Sequence, residues 1–119
     1  MTLLRVVTSP DRASAILDAL LGIGIAGMTM TDLQGSSAQQ RHRLSYRGTE
    51  YDVRFVPRVE LQIVLRDDWV DAAVNEILEV ARTDAVGENR LFVMPVEAAY
   101  WIRTGEVERS DAPDEHWYV

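Results

Sequence analysis

The chain has 119 residues, a formal net charge of −7 and 47% hydrophobic content, which bounds it to one small domain able to bury a core. Cysteine is absent, which excludes disulfides, thiolate zinc sites and a Cys nucleophile. The acidic balance argues against a general nucleic-acid binder, and no apolar run nears the roughly 20 residues that span a bilayer, so a soluble cytoplasmic protein without a signal peptide is expected.

In chain order, residues 3–7 read as a short buried strand. Ser9-Pro10 then opens a helix, with Ser as N-cap and Pro at the first helical position. Ala13, Ile16, Leu17, Leu20 and Leu21 recur at helical spacing as its apolar face, and Gly22 and Gly24 end it. Residues 28–34 alternate Met28, Met30 and Asp32 with Thr29, Thr31 and Leu33, the pattern of a half-buried strand. From Gly35 to Arg58 apolar periodicity disappears. This stretch holds five of the twelve arginines (Arg41, Arg43, Arg47, Arg54 and Arg58) against only Glu50 and Asp52, so it is near +3 on a body near −10. A structureless stretch this long is either a functional arm or a misread element, and the opposed charge favours the arm. Lysine is absent, so every cation is an arginine, a fixed fork suited to phosphate and carboxylate. A genome that prefers Arg codons is the plainer explanation.

After the arm, Val59, Leu61, Ile63 and Leu65 alternate with Glu60, Gln62 and Val64 as a strand. A second helix begins near Asp67-Asp68 and carries Val70, Ala73, Val74, Ile77, Leu78 and Ala81 on one face. Residues 83–89 form a turn-rich loop, residues 91–96 a fourth strand with Pro95 at an edge or end, and residues 97–102 a further short strand. The acidic tail ends in His116-Trp117-Tyr118-Val119; fraying is usual there, docking of the aromatic pair the alternative. Strand–helix–strand, arm, strand–helix–strand is the order of the ferredoxin-like α+β fold, βαββαβ, with four antiparallel strands backed by two helices.

Few motifs carry chemistry. Gly22-Ile-Gly-Ile-Ala-Gly27 matches G-x-G-x-x-G literally, but it closes a helix and enters a strand, the reverse of a dinucleotide fingerprint. His42 and His116 stand far apart in sequence with no metal-ligand spacing, so neither a metal site nor catalytic residues are expected. Asp67-Asp68 reads as helix N-terminal charge. In Asp84-Ala-Val-Gly-Glu-Asn-Arg90, Gly87 and Asn89 can take positive φ and aim backbone N–H groups at an anion, with Arg90 and Arg103 as further cations; an ordinary turn explains the stretch equally well.

Taken together, the pieces resemble the PII signal-transduction family. Tyr46-Arg-Gly-Thr-Glu-Tyr51 looks like the tip of its long T-loop, Gly27-Met-Thr29 like the start of its second strand, Thr83-Asp-Ala-Val-Gly-Glu-Asn-Arg-Leu-Phe-Val93 like its B-loop and next strand, and Ile102-Arg-Thr-Gly-Glu106 like its C-terminal loop. The resemblance divides the chain into a domain over 1–106, with a T-loop at about 35–58 and a B-loop at about 83–90, and a tail over 107–119.

The resemblance implies a regulator rather than an enzyme. Family members are homotrimers with an adenine-nucleotide site (ATP, ADP or AMP) in each inter-subunit cleft, often with Mg2+ and 2-oxoglutarate, and occupancy changes how the T-loop docks on a transporter, enzyme or transcription factor. A membrane transporter as target would recruit the protein peripherally. Carried over by position, Gly27, Thr29 and Val64 would line the adenine and ribose. Gly35, Ser36, Ser37 and Gln39 would form the T-loop base, with Gln39 near the metal and 2-oxoglutarate. Gly87, Glu88, Asn89, Arg90 and Arg103 would hold phosphates. Arg58 stands where a basic residue meets 2-oxoglutarate; Tyr46, Arg47 and Tyr51 would contact the partner, and Tyr51 matches a residue that some members modify.

The departures bear on the ligand. Gly35-Ser-Ser-Ala-Gln-Gln-Arg41 replaces a Gly-rich base, Gln40 the usual Lys, and Ala38 and Trp101 commonly basic residues. Each lost charge-assisted bond to phosphate removes roughly 1.5–3 kcal/mol, which favours AMP or ADP over ATP. The altered base leans toward divergent relatives tied to bicarbonate transport or carboxysomes, with conventional nitrogen control through ATP and 2-oxoglutarate as the competing reading. A small ferredoxin-like enzyme or metal-binding trimer is the alternative from another class.

Overall fold

From Leu4 onward every second residue of strand β1 (Thr2–Thr8) is buried: Leu4 and Val6 are apolar, and Thr8 closes the run. The computed structural model describes residues 1–36, 42–46, 49–53, 55–82, 89–108 and 117–118. Helix α1 (Pro10–Gly22) follows β1, then strands β2 (Thr29–Gly35), β3 (His42–Tyr46), β4 (Thr49–Val53) and β5 (Val56–Leu65). A single 3-10 turn leads into helix α2 (Val70–Ala81), and strands β6 (Arg90–Pro95) and β7 (Trp117–Tyr118) complete the order. The main sheet runs β2-β5-β1-β6, every pair antiparallel, which is the ferredoxin-like arrangement.

The core lies between one sheet face and the two helices. Leu4 and Val6 of β1 and Val59, Leu61, Ile63 and Leu65 of β5 meet Ala13, Ile16 and Leu20 of α1 and Ala73 and Ile77 of α2. Each fully buried aliphatic side chain contributes roughly 1.5–3 kcal/mol. The helical stripes are narrower than their spacing suggests: Leu17, Leu21 and Leu78 are exposed, because each helix touches the sheet along only part of its apolar arc.

Helix ends differ in detail from expectation. Ser9 occupies the N-cap position with extended backbone, but its side chain makes no capping bond; it hydrogen-bonds Asp11, which holds that carboxyl below its usual range. Gly22 is still helical, and Gly24 alone makes the stop. With φ of +93° it lets its own N–H reach Leu21 O at 3.1 Å and the Ile25 N–H reach Leu20 O at 2.9 Å, a Schellman cap. Ile25 and Leu20 are both fully buried, the apolar contact that accompanies such a cap. At the other helix, Asp67 takes the N-terminal ammonium at 3.1 Å and the Thr2 hydroxyl at 2.7 Å, pinning the chain start.

The stretch expected to lack structure contains a hairpin. β3 and β4 pair antiparallel, with Leu44 opposite Tyr51 and Tyr46 opposite Thr49, and β5 begins at Val56, so Arg58 lies inside a strand. Arg and Ser between the β-formers, and Pro57 in the early part of β5, hid the alternation. The short strand expected at 97–102 is a single bridge between Tyr100 and Val107, closed by Gly105 at φ of +74°. β7 pairs with the end of β5, Tyr118 with Val64 and Trp117 with Leu65. Among the described residues no helix is long and apolar enough to cross a membrane.

Candidate functional site

The helix-free face of the sheet carries the polar residues. Arg58, Glu60, Gln62 and Val64 alternate with the core-facing residues of β5, and Leu33, Thr31 and Thr29 of β2 sit opposite the first three. Across β1, Arg5 donates from Nε to Glu60 Oε1 at 2.6 Å and lies 5.7 Å from the Phe92 ring centre. Gln62 donates to the same Glu60 oxygen at 2.8 Å, and these bonds, Arg5 first, hold the Glu60 carboxyl below its ordinary range.

Arg58, expected from the resemblance as the effector contact, is buried in strand β5. Its side chain is only 6% exposed, and Nη1 donates to Asn89 Oδ1 at 3.2 Å. The fully buried Thr8 donates to the same oxygen at 3.2 Å. Nη2 is buried with no hydrogen-bond partner among the described residues. A guanidinium N–H buried without a partner is costly, and an anion placed against it would offset that cost. A cavity of about 470 Å³ opens beside it, with Asp32, Gln34, Phe55, Pro57 and Arg58 among its lining. Gly35 makes the approach possible: a Cβ there would lie 2.9 Å from Arg58 Cγ.

The residues read from the sequence as the nucleotide site, together with Arg58 read as the effector contact, fall into two groups. Gly35, Ser36, Arg58, Asn89 and Arg90 lie where β2 ends and β5 and β6 begin. Thr29 and Val64 lie at the opposite end, with Gly27 just before β2, and the chain leaves β6 at that same end, beside Thr2, before reaching the exposed Arg103. Six residue-to-residue steps along β2 separate Thr29 from Gly35, about 20 Å at 3.3–3.4 Å each. One mononucleotide does not bridge that span within one chain. Tyr46 and Tyr51 fall on β3 and β4, while Ser37, Gln39, Arg47, Gly87 and Glu88 lie outside the described residues.

Sequence reasoning missed Thr8 as a site residue and expected Asn89 to face phosphate. The clamp these two form with Arg58 joins positions 8, 58 and 89, and only the strand pairing brings those together. Among the described residues no three His, Asp or Glu side chains converge as a metal site would need. A guanidinium N–H buried without a partner is a group whose charge and geometry suit an anion.

Residues 1–106 match the family model described as nitrogen regulatory protein P-II. The chain is 39% identical over 106 residues to a nitrogen regulatory protein P-II of Cereibacter sphaeroides, covering 89% of this chain and 95% of that one. It is 40% identical over 112 residues to one of Haemophilus influenzae, covering 94% and 99%. Against nitrogen regulatory protein P-II 1 of Escherichia coli K12 it is 40% identical over 100 residues, 84% and 89% of the two chains.

Proposed function

Because this chain belongs to the nitrogen regulatory protein P-II family, whose members are signal transducers rather than enzymes, we propose that it is a trimeric cytoplasmic sensor that holds an adenine nucleotide between subunits and a carboxylate effector at Arg58. The segment 35–58 is its output, docking on or releasing a target protein as occupancy changes. The site is completed by two copies: the Gly35–Arg90 end of one sheet meets the Gly27–Val64 end of its neighbour. The separation of those two ends within one chain supports this reading. Gly87, Glu88, Arg90 and Arg103 serve the phosphates, with Mg2+ accompanying ATP, and Tyr46, Arg47 and Tyr51 face the target.

Arg58 carries the effector assignment. A buried guanidinium with one free edge suits a carboxylate, and 2-oxoglutarate supplies one in a form that reports nitrogen status. Kinship with nitrogen regulatory proteins along most of the chain supports the same ligand. Gln40, in place of a cation, favours a second reading in which the smaller bicarbonate occupies the site and the target belongs to inorganic-carbon transport.

Calorimetric titration with ADP and ATP, in plain buffer, with 2-oxoglutarate and with bicarbonate, separates these readings. Effector-dependent nucleotide affinity with 2-oxoglutarate alone supports nitrogen sensing. A response to bicarbonate alone supports carbon sensing. No nucleotide heat together with no thermal shift overturns the sensor.

A further inference from the structure

The side-chain oxygen of Asn89 is engaged within the protein. That atom, Oδ1, receives the Thr8 hydroxyl and Arg58 Nη1, each at 3.2 Å. A guanidinium only donates, so the amide must present its oxygen, and its orientation is fixed. One atom therefore ties the end of β1 and the start of β5 to the residue just before β6. The same bond constrains the plane of the Arg58 fork, whose Nη2 is buried and unpaired, and Arg58 also lines the cavity.

We infer that Asn89 is a positioning residue that couples the anion at Arg58 to the nucleotide phosphates, an inference that rests on the function proposed above. An anion on Nη2 favours the guanidinium orientation that Asn89 holds. Residue 89 is covalently continuous with Arg90, so phosphate binding that orders this segment favours the same orientation. Each ligand thus stabilises the arrangement the other needs, and the linkage is reciprocal. Oδ1 is committed to the clamp, so any contact of Asn89 with phosphate is left to its Nδ2 and backbone N–H donors.

The test compares the full chain with Asn89→Ala and Asn89→Asp, measuring ADP and ATP dissociation constants with and without 2-oxoglutarate, and again with bicarbonate. Asn89→Asp is close to isosteric and keeps both acceptor contacts, but its carboxylate neutralises Arg58; a clamp with a merely structural role tolerates it. The effector changes nucleotide affinity by at least about five-fold in the unmodified chain and by no more than about two-fold in both variants, each compared with its own effector-free affinity, which the added charge of Asn89→Asp lowers by itself. Retention of the full effector response in Asn89→Asp overturns the inference. So does loss of nucleotide binding in Asn89→Ala with an unchanged melting temperature, which makes Asn89 a direct ligand. An unmodified chain whose nucleotide affinity ignores both effectors overturns the function proposed above, and the coupling with it, before any variant is needed.

Discussion

Replacing Arg58 with methionine separates a ligand-binding role from a structural one. The substitution keeps much of the side chain's apolar length and removes the guanidinium. It deletes the bond from Nη1 to Asn89, 3.2 Å long and charge-assisted, worth about 1.5–3 kcal/mol. Asn89 Oδ1 is not orphaned, because Thr8 still donates to it. The substitution also removes Nη2, whose burial without a partner costs about 1–3 kcal/mol. The two effects oppose each other and leave a net change within about 2 kcal/mol, or at most about 8 °C in melting temperature at about 2.1 cal/mol/K of unfolding entropy per residue. Ligand binding behaves otherwise: an effector at a hundred times its dissociation constant adds about 2.7 kcal/mol to the native state, and Arg58→Met loses that increment. Thermal melts of both proteins, without ligand and with ATP plus 2-oxoglutarate or bicarbonate, read both quantities. A methionine variant that melts far lower without ligand, or that keeps the full effector increment, refutes the reasoning.

Other outcomes follow from single contacts. Gly35→Ala places a Cβ 2.9 Å from Arg58 Cγ, close to the backbone end of that side chain, so it destabilises by about 1–3 kcal/mol and weakens the effector response, both visible in the same melts. Glu60 has its folded pKa held below the ordinary 4.5, chiefly by the Arg5 hydrogen bond and then by Gln62. Its stabilisation is complete above that value and fades as pH falls through the folded pKa, so the advantage over Glu60→Gln shrinks in urea titrations taken from about pH 6 to about pH 3. A constant difference across that window refutes the assignment. Truncation after Ser110 removes the strand paired with Val64 and Leu65 and should speed amide hydrogen exchange at the end of β5; unchanged protection there refutes a docked tail.

Much of this protein was legible in one dimension. The alternation of Val59, Leu61, Ile63 and Leu65 and the helical spacing of Ala13, Ile16 and Leu20 are statements about period, and period survives in a sequence because burial of one face demands it. From those, the order of elements and the ferredoxin-like fold followed, and the ordered motifs pointed to the family. Sparse apolar content concealed the β3–β4 hairpin, because Arg and Ser between β-formers leave no stripe to read. The turn that ends α1 could be placed only between two glycines; the positive φ at Gly24 decided which one. What tertiary structure alone decided is the site's polar geometry. Nothing in the spacing of Thr8, Arg58 and Asn89 predicts that two donors share one oxygen while a third N–H stays buried and unpaired. That outcome depends on strand register, which sets neighbours across tens of residues and leaves no local mark on the sequence.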